Sequence, residues 1–356
     1  MSAIVFATGG TTEKSRTVEH PWEHYQFVTS TAAHALSNLF RELPVTSVAN
    51  CLGAGNLWGG FLFAHEICKL LKVKYYPFAS IVDTEALCEA IETNEIDTII
   101  CLPSFLERLI HSGNTRQLSS LRTIFYLGEM FPASLIDKVQ QNLQEVTIKP
   151  LAYTSQETGP IGYQCTHLDG NHYHIYEHVK LHRNSENGEL SVTVHYPGQH
   201  DLLDHKMRDV GQLEKDTLCK CGHRGDLLHL DGRVPTARNI LGTSISIFEF
   251  VHVLSAYSMN KLTETDLQLV ELRSENQGPG LLLMISSSAL LSPDNIPALL
   301  NTSPLIKELI SKSSYFQVYL TDRENFLRSE IAQKIPPFIT SDCLPSPDGA
   351  YRIIIK

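Results

Sequence analysis

A short loop close to the start of the sequence carries the residue types that bind phosphate. It runs from Thr8 to Arg16 (TGGTTEKSR) and follows the apolar run Ile4–Ala7. Glycines let backbone N–H groups approach oxygen atoms closely, hydroxyl groups add donors, and Lys14 and Arg16 offset negative charge. The loop does not match the Walker A pattern, because Glu13 stands where that pattern requires its second glycine. It therefore indicates a polyphosphate site of another class or, as the alternative, an ordinary polar turn after an edge strand.

Thiols and imidazoles form a second group with recognisable chemistry. Cys219 and Cys221 lie one residue apart, and Gly222 follows directly. Further potential metal ligands lie upstream, at Cys165, His167, His172 and His174. Zinc prefers four sulfur or imidazole ligands in a tetrahedron, and a glycine after a cysteine frees backbone N–H groups to stabilise thiolates. Because Cys-x-Cys is a weaker signal than paired Cys-x-x-Cys motifs, a zinc site and unmetallated reduced thiols both stay open.

The elements that must position these residues alternate between apolar strands and amphipathic helices up to about residue 153. The predicted strands are Ile4–Ala7, Val45–Val48, Val73–Phe78, Thr98–Leu102, Leu121–Leu127 and Val146–Leu151. The predicted helices are Glu23–Phe40, Gly59–Leu71, Thr84–Thr93, Pro103–His111 and Pro132–Leu143. Apolar strands separated by helices predict a mostly parallel sheet covered on both faces, with ligands bound beyond the carboxyl ends of its strands.

The pattern changes after about Gly170 to strands with polar turns, as in Glu189–His195. This change predicts an antiparallel region attached to the first sheet. A separate α+β module is predicted after a hinge near Gly232 and Arg233. We therefore expect an α/β protein with two domains, residues 1–233, with the antiparallel region at about 160–230, and residues 234–356.

Composition excludes several classes of protein. The 356 residues include 39 acidic and 29 basic side chains, for a formal charge of −10, and such a surface repels nucleic acid. The sequence has no apolar core of a signal peptide and no apolar stretch of about eighteen residues that could cross a membrane. Eight cysteines spread over this length favour reduced thiols or metal ligands over a disulfide framework. We expect a cytoplasmic protein with no nucleic acid or membrane partner.

Further motifs follow the N-terminal loop in a defined order. They are Gly128-Glu129, Tyr153–Glu157 (YTSQE), Met207–Asp209 (MRD), Cys219–Gly222 (CKCG) and Asp231–Arg233 (DGR). Together with Thr8–Lys14, this ordered set resembles the adenylate-forming superfamily, specifically the branch of phenylacetate-CoA ligases and the acyl-protein synthetases of bacterial luminescence. The resemblance covers most of the chain. It implies the adenylate-forming enzyme fold, in which a parallel-sheet ATP-binding adenylation domain with an antiparallel β subregion precedes a small mobile α+β domain.

The resemblance implies that residues of the first domain bind ATP. The loop that would cradle its β- and γ-phosphates comprises Thr8, Gly9, Gly10, Thr11, Thr12 and Lys14. Gly128 and Glu129 correspond to a segment that lines the adenine pocket. Tyr153 corresponds to the aromatic residue that stacks on adenine, and Thr154 follows it in the same motif.

Three further residues acquire roles from the resemblance. Glu157 corresponds to the Mg²⁺ ligand, and a hard cation bound to phosphates prefers one or two carboxylates together with several waters. Asp209 corresponds to the aspartate that accepts both ribose hydroxyls, a task that needs two acceptor oxygens. Arg233 corresponds to the arginine at the interdomain hinge that also reaches the nucleotide.

The resemblance also implies a structural zinc ion. Several phenylacetate-CoA ligase relatives hold zinc with a Cys, a Gly-x-His and a Cys-x-Cys. By that pattern the ligands here are Cys165, His172, Cys219 and Cys221, with His174 as the rival of His172. Four protein ligands leave no open position for a substrate, so the expected role is to pin the antiparallel region to the main domain.

Several residues depart from the family pattern. Glu13 places a carboxylate in the loop whose expected ligand is an anion. Ala350 stands where relatives carry the lysine that bridges the substrate carboxylate and the α-phosphate. Arg352, on the same face of a strand, is the candidate substitute, and Lys356 is another. Relatives also begin with a longer segment before the phosphate loop, so we expect part of the acyl pocket wall to be missing or supplied by another subunit, as in a homodimer.

These observations predict an ATP-dependent acid–thiol ligase. A carboxylate, aryl or acyl, would attack the α-phosphate of Mg·ATP, pyrophosphate would leave, and the acyl group would pass to the thiol of coenzyme A or of a carrier protein. One alternative is acyl transfer to an amine or a protein side chain, and another is a degenerate homologue that binds nucleotide without catalysis. The departures favour the degenerate homologue. The presence together of four residues that match the family pattern favours the catalytic alternative: Lys14, Glu157, Asp209 and Arg233.

Overall fold

The chain folds into two compact units, Met1–Val234 and Pro235–Lys356. The computed structural model describes residues 2–8, 16–111, 114–143, 145–197, 200–233, 237–260, 262–272, 279–329, 334–347 and 349–356, with the side chains of residues 133 and 134 excepted. Each unit has its own core of buried apolar side chains. No helix among these residues is both long enough and apolar enough to cross a membrane.

The first unit contains fourteen strands and five α-helices within the described residues. In chain order they are β1 (Ala3–Ala7), β2 (Thr17–Pro21), α1 (Trp22–Glu42), β3 (Ser47–Asn50), α2 (Gly59–Leu71), β4 (Lys74–Pro77), α3 (Thr84–Thr93), β5 (Thr98–Cys101), α4 (Pro103–His111), β6 (Thr123–Tyr126), α5 (Ala133–Asn142), β7 (Thr147–Pro150), β8 (Tyr153–Ser155), β9 (Gly159–Tyr163), β10 (His172–Ile175), β11 (Val179–Arg183), β12 (Glu189–Val194), β13 (Leu202–Leu218) and β14 (Arg224–Arg233).

A five-stranded parallel sheet with the order β4-β3-β5-β6-β7 lies in this unit. Every residue of β3, β5 and β6 is buried, as expected for central strands covered on both faces. The predicted alternation of strands and helices is confirmed, and α2, α3 and α4 have the bounds that the sequence predicts. At the start of α3, the Asp83 carboxylate accepts hydrogen bonds from the backbone N–H groups of Glu85 and Ala86, which explains where the helix begins.

The first predicted strand is confirmed as β1, but it does not join the parallel sheet. It pairs antiparallel with β2, because the short connection between them permits a hairpin and no crossover. The two strands are joined at the base of the N-terminal loop, where Thr8 N–H donates to the Arg16 carbonyl at 2.8 Å. Arg16 N–H in turn donates to Thr8 Oγ1 at 3.0 Å.

The antiparallel region is confirmed as a seven-stranded sheet with the order β11-β12-β13-β14-β10-β9-β8. One continuous cluster of buried side chains is shared by the parallel sheet and this antiparallel sheet. In the pairing of β13 with β14, Asp209 lies directly opposite Arg233. The register of these two strands therefore places two of the predicted nucleotide-binding residues side by side.

The second unit is a smaller α+β module. Its elements are β15 (Arg238–Ile240), β16 (Thr243–Ile245), α6 (Ile247–Ser255), β17 (Leu267–Leu272), β18 (Gly280–Ser286), α7 (Ile296–Leu300), α8 (Pro304–Lys312), β19 (Tyr315–Thr321), β20 (Phe338–Ser341) and β21 (Tyr351–Ile354). Five of the strands form a mixed sheet with the order β20-β17-β18-β19-β21. Alternate residues of β18 enter two apolar clusters, Leu281 and Leu283 in one and Leu282 and Met284 in the other. This alternation is that of a strand buried on both faces.

Gly280, the first residue of β18, is required by the neighbouring strand. It lies opposite Tyr315 of β19, and a Cβ atom at this position would lie 1.9 Å from Cζ of the tyrosine ring. We expect Gly280→Ala to lower the free energy of unfolding by about 1–3 kcal/mol through overpacking. Denaturant unfolding of the full chain, followed by circular dichroism, measures this change. The same substitution in a Tyr315→Ala background should cost much less, and an equal cost in both backgrounds would contradict the steric explanation.

Candidate functional site

The predicted adenine-pocket segment follows the carboxyl end of β6. Gly128 has φ +80°, a left-handed conformation that favours glycine. The Glu129 carboxylate accepts hydrogen bonds from Ser104 N–H at 3.1 Å and from Ser104 Oγ at 3.2 Å. Ser104 lies in the first turn of α4, where free N–H groups and the helix dipole favour a negative charge. Glu129 therefore fixes the start of α4 beside the expected ligand site.

Three of the predicted nucleotide-binding residues meet in one cluster, the Asp209 cluster, formed by Tyr153, Asp209 and Arg233. The Tyr153 hydroxyl donates to Asp209 Oδ2 at 2.6 Å, and Arg233 Nε donates to Oδ1 at 3.0 Å. The Asp209 side chain is 7% exposed, whereas that of Arg233 is 70% exposed. Burial and the adjacent Asp209 carboxylate raise the pKa of Tyr153 well above its usual value, so its hydroxyl stays protonated and donates.

The Asp209 carboxylate keeps acceptor capacity for a ligand. An ionised carboxylate offers about four lone-pair sites on its two oxygens. Tyr153 and Arg233 take one site on each oxygen. About one site per oxygen is left, which is what two ligand hydroxyls on neighbouring carbons require. The geometry therefore fits the ribose contact that the resemblance implies for Asp209.

The structure places Tyr153 differently from the stacking role that the resemblance implies. Its ring belongs to the core of the first unit, is 8% exposed and lies 5.5 Å from the ring of Tyr173. An adenine-stacking residue must present a ring face to the ligand, and burial removes most of that face. We therefore assign Tyr153 to the support of Asp209 through its hydroxyl group.

Glu157 lies in the turn between β8 and β9, close to the strand that leaves the N-terminal loop. Thr154 is in β8, immediately before this turn. His20 of β2 is 4% exposed, and its Nε2–H donates to the carbonyl of Gln156 at 2.7 Å. Burial lowers the pKa of His20, so the imidazole is neutral. This hydrogen bond ties the exit of the N-terminal loop to the Glu157 turn.

The predicted phosphate-loop residues Gly9–Lys14 lie outside the described residues, and Glu13 is among them. Thr8 and Arg16 mark the base of that loop, on the hairpin that His20 joins to the Glu157 turn. The described part of the hairpin thus brings the two ends of the loop and the predicted magnesium ligand into one region.

A pocket of about 250 Å³, the His24 pocket, opens beside Glu157. Its walls come from β2, the first turn of α1, the Glu157 turn, Tyr196 and residues 200–202. His24 is 7% exposed, and its ring centroid lies 3.6 Å from that of Tyr196. His20, His24 and Tyr196 are not among the residues that the sequence motifs single out. The sequence feature that could have indicated the two histidines is their position shortly after the candidate phosphate loop.

Four of the potential zinc ligands meet in a second cluster, the thiol–imidazole cluster of Cys165, His174, Cys219 and Cys221. Their ligand atoms all lie within 4.8 Å of one another. His174 Nε2 lies 3.4 Å from Cys165 Sγ and 3.5 Å from Cys221 Sγ, and the Sγ atoms of Cys165 and Cys219 are 3.8 Å apart. Tetrahedral bonds of about 2.3 Å to sulfur and about 2.05 Å to nitrogen predict edges of roughly 3.8 and 3.6 Å. The donor set and its spacing fit zinc.

The structure replaces His172 with His174 in this ligand set. The His172 ring stacks on His229 at 4.3 Å, and its Nδ1–H donates to the Asp169 carbonyl at 3.0 Å. The reason is register: His172 lies opposite His229, whereas His174 lies opposite Leu227, two residues nearer the turn that carries Cys219 and Cys221. Both histidines share one face of β10, so alternation alone could not choose between them.

The second unit holds the candidate substitutes for the missing lysine. Ala350 packs against an apolar cluster that contains Leu282 and Met284. Arg352 lies on β21 opposite Tyr319 and is exposed. The Lys356 ammonium donates to the carbonyls of Ser311 and Ser313 at 2.8 and 2.6 Å, at the end of α8. Both residues are exposed, but the ammonium group of Lys356 is already held by these two carbonyls.

Comparison with known proteins shows the fold. No family model matches the chain, and no curated protein does. A structure of 2-hydroxyisobutyryl-CoA ligase in complex with 2-HIB-AMP is 15% identical, with a TM-score of 0.60, and the match covers 95% of this chain and 73% of that chain. O-succinylbenzoate coenzyme A synthetase from Bacillus subtilis, in complex with AMP, is 15% identical with a TM-score of 0.55 over 93% and 67% of the chains. ATP-bound MatB from Rhodopseudomonas palustris is 12% identical with a TM-score of 0.53 over 92% and 65%. The chain thus has the α/β fold of the adenylate-forming enzymes, which confirms the fold class expected from the motifs.

The thiol–imidazole cluster predicts the metal content of the protein. We expect the purified full chain to contain about one zinc ion, because four ligands complete its preferred tetrahedron. Cys219→Ser and His174→Ala should each lower the zinc content measured by mass spectrometry, because each removes a ligand. His172→Ala is the matched control and should leave the zinc content unchanged. Metal-free wild-type protein, or a loss with His172→Ala but not with His174→Ala, would contradict the ligand set.

Buried histidines near the His24 pocket predict acid sensitivity. Burial lowers the pKa of His24 to about 4, with further contributions from His20 and His178, and burial also lowers the pKa of His178 to about 4. Unfolded histidine titrates near about 6.5, so the unfolded state binds more protons between these values. Stability is therefore present above pH 6.5 and is lost as the pH falls toward 4. Between pH 7 and 5 we expect His24 alone to lower the free energy of unfolding by about 1 kcal/mol or more.

Denaturant unfolding at pH 7, 6 and 5 checks the contribution of His24. The loss of stability on acidification should be smaller in His24→Phe than in the wild type. His34→Phe, at an exposed position of the same helix, serves as the control and should retain the wild-type pH dependence. Equal pH dependence in the wild type and in His24→Phe would show that His24 does not contribute.

Proposed function

We propose, from the adenylate-forming fold together with the Asp209 cluster, that this chain is an ATP-dependent acid–thiol ligase. A carboxylate oxygen of the acid attacks the α-phosphorus of ATP, the bond to the β-phosphate oxygen breaks, and pyrophosphate leaves. A thiol sulfur then attacks the acyl carbon of the adenylate, and AMP leaves as the thiol proton is released. The observation that carries the proposal is the buried Asp209 carboxylate, held by Tyr153 and Arg233 with acceptor sites left for two hydroxyls.

The Asp209 cluster would orient the nucleotide. A ribose held by both hydroxyls has a fixed position relative to the sheet, which aligns the α-phosphate for attack. The exposed guanidinium of Arg233 lies next to the same carboxylate and can contact the nucleotide at the edge of the site. Gly128 and the Glu129 loop would complete the adenine side, because the left-handed glycine lets the backbone pass close to a flat base.

Glu157 and the N-terminal loop would handle the phosphates. Glu157 is the one carboxylate of the YTSQE motif. Mg²⁺ binds proteins mainly through one or two carboxylates and takes its other ligands from waters and phosphate oxygens, so a single carboxylate suits it. Mg²⁺ bound there would offset the charge of the phosphates. Thr8, Gly9, Gly10, Thr11, Thr12 and Lys14 are proposed as the phosphate cradle, and the hydrogen bond from His20 to Gln156 would keep the base of that cradle near Glu157.

The branch and the acceptor are proposed from the metal-site residues and from one similar structure. The thiol–imidazole cluster fits the zinc site that the motifs share with phenylacetate-CoA ligases, and we propose this branch and a structural role for the metal. One similar structure is of 2-hydroxyisobutyryl-CoA ligase with 2-HIB-AMP and CoA in the thioesterification state. It supports coenzyme A as the thiol, with a carrier-protein thiol as the alternative. We propose the second unit as the mobile C-terminal domain and Arg352 as its contribution to acid activation.

A degenerate, non-catalytic homologue is the second candidate function. It is favoured by Ala350, whose side chain packs against an apolar cluster where relatives carry the catalytic lysine. It is also favoured by Lys356, whose ammonium group is held at the end of α8. In this case the Asp209 cluster would bind nucleotide, and no acid would be activated.

Exchange of label between pyrophosphate and ATP separates the two candidates. With a panel of aryl and aliphatic acids, we expect at least one acid to support exchange in the wild type. Glu157→Gln should lower the exchange rate on the order of 100-fold or more, because the magnesium ligand is lost. Asp209→Asn should raise the KM for ATP, because one acceptor oxygen becomes a donor group.

The control for charge removal is Glu186→Gln, at an exposed turn away from the site, which should leave exchange unchanged. If no acid supports exchange while ATP still binds, the degenerate homologue is the correct function. If Glu157→Gln exchanges as fast as the wild type, the proposed role of Glu157 is wrong.

A further inference from the structure

The thiol–imidazole cluster contains one ligand that lies at the protein surface. Cys221 is exposed, whereas Cys165 and Cys219 are partly buried and His174 is 2% exposed. The next residue, Gly222, has φ +87°, and no described atom lies within 4 Å of a Cβ built at its position, so the turn stands in open space. Cys221 is therefore the ligand of this cluster that is open to a small oxidant.

A second thiol lies next to Cys221 and comes from a distant part of the chain. The Sγ atoms of Cys221 and Cys165 lie within 4.8 Å of each other, and they contact His174 Nε2 at 3.5 and 3.4 Å. Cys219 is a poorer partner for Cys221, because a disulfide between them would close a ring across a single residue and leave little room for the preferred geometry. Cys165 is therefore the thiol best placed to form a disulfide with Cys221.

The expected metal would also make these sulfurs reactive. Bound zinc keeps its cysteine ligands deprotonated. The thiolate, not the thiol, is the nucleophile, and cysteines that sense oxidants are accessible thiolates with a second thiol beside them. Cys221, as a zinc ligand at the surface with Cys165 next to it, combines these features.

The five cysteines outside the cluster lack this combination. Four of them are buried: Cys51, Cys68, Cys88 and Cys101. Burial raises the pKa of the Cys68 thiol to about 12, so it stays protonated near neutral pH. Cys343 is exposed, but its sulfur contacts the Ser341 hydroxyl at 3.9 Å and no other thiol within the described part of the chain. Cys343 therefore offers an internal control, a surface thiol without a thiol partner.

The thiol–imidazole cluster is connected to the candidate nucleotide site through β10. His174 lies on this strand, and the preceding residue, Tyr173, faces the other side of the sheet. The Tyr173 ring is 4% exposed and lies 5.5 Å from the ring of Tyr153, whose hydroxyl donates to Asp209. The turn that carries two of the cysteine ligands also joins the strand of Asp209 to its neighbour β14. Loss of the metal would therefore loosen the strands that hold the Asp209 carboxylate.

We propose that Cys221 is a site of reversible oxidation by peroxide, which links it to Cys165, releases zinc and weakens nucleotide binding at the Asp209 cluster. The Cys221 thiolate attacks one oxygen of hydrogen peroxide, the O–O bond breaks, and hydroxide leaves, so that Cys221 becomes a sulfenic acid. The Cys165 thiolate then attacks the Cys221 sulfur, the S–O bond breaks, and a second hydroxide leaves. The two sulfurs together lose two electrons, and the peroxide gains them.

The disulfide leaves Cys219 and His174 as the remaining ligands, too few for the four-coordinate site that zinc prefers. A thiol reductant reverses the reaction by thiol–disulfide exchange and restores the ligand set. The effect on nucleotide binding rests on the proposed function, because it takes Asp209 as the ribose ligand. The oxidation itself does not depend on that function.

The test uses the full chain, reduced and loaded with zinc. Hydrogen peroxide is added at a concentration that leaves the four buried cysteines reduced, as peptide mass spectrometry verifies. We expect a disulfide between Cys165 and Cys221 in the peptide map and the release of about one zinc ion per chain to a chromogenic chelator. The Kd for ATP, measured by calorimetry, should rise about five-fold or more. Dithiothreitol followed by zinc should restore it.

Two variants test the role of Cys221. Cys343→Ser removes the other exposed thiol and should release zinc as fast as the wild type. Cys221→His keeps four ligands of types that zinc accepts but lacks the surface thiol, so peroxide should release zinc more slowly and leave the Kd for ATP unchanged. If Cys221→His takes up no zinc, the peptide map of the wild type decides whether Cys221 is the oxidation site.

The outcomes separate this inference from the proposed function. A disulfide between other cysteines, zinc that stays bound in the oxidised wild type, or zinc loss without a change in the Kd for ATP overturns the inference. A reduced chain that takes up no zinc overturns it as well. If the reduced protein binds ATP but no acid supports pyrophosphate exchange, the ligase function fails and the Kd still reports the effect of oxidation. If the reduced protein binds no ATP, the proposed function and the effect on nucleotide binding both fail, and the peptide map alone decides the oxidation site.

Discussion

A buried carboxylate is stable only if hydrogen-bond partners compensate for the water it has lost, and Asp209 sets this requirement at the centre of the candidate site. The compensation comes from three strands: Tyr153 lies on β8, Asp209 on β13 and Arg233 at the end of β14. Arg233 is positioned by strand register, since it lies opposite Asp209 in the ladder. Tyr153 belongs to β8 at the edge of the same sheet, and its hydroxyl bonds to Asp209 across the three strands that lie between them in the sheet order. The site therefore depends on the antiparallel sheet as a unit.

Periodicity in the sequence predicts the parallel sheet and its helices, because strands that are buried on both faces are apolar along their whole length. Helices α2, α3 and α4 begin and end at the predicted residues. Periodicity does not encode which strands pair. The segment Ile4–Ala7 has the composition of a central strand, yet it forms a hairpin because its neighbour follows within a short loop. Motif order predicted the members of the Asp209 cluster but not the burial of Tyr153, which results from tertiary packing against Tyr173. His172 and His174 share one face, so only the pairing of β10 with β14 could decide between them.

The two units differ in how far they retain the expected residues. In the first unit, Asp209 and Arg233 are hydrogen-bonded to each other, and Glu129 holds the start of α4. In the second unit, the position expected for a catalytic lysine carries Ala350, which packs on apolar side chains. A lysine there would run its stem along that cluster and keep its ammonium in water, so the alanine keeps the apolar contact and lacks the charge.

The histidines of the His24 pocket connect burial with the stability of the fold. Burying an imidazole disfavours its charged form, so His20 and His24 are neutral where an exposed histidine would be partly protonated. Neutral imidazoles cannot attract a carboxylate by charge, but each keeps a donor and an acceptor nitrogen. His20 uses its donor to fix the Glu157 turn, and His24 keeps a nitrogen without a partner. The burial that keeps His24 neutral thus also makes the fold sensitive to acid, because protonation would place a charge where no water can solvate it.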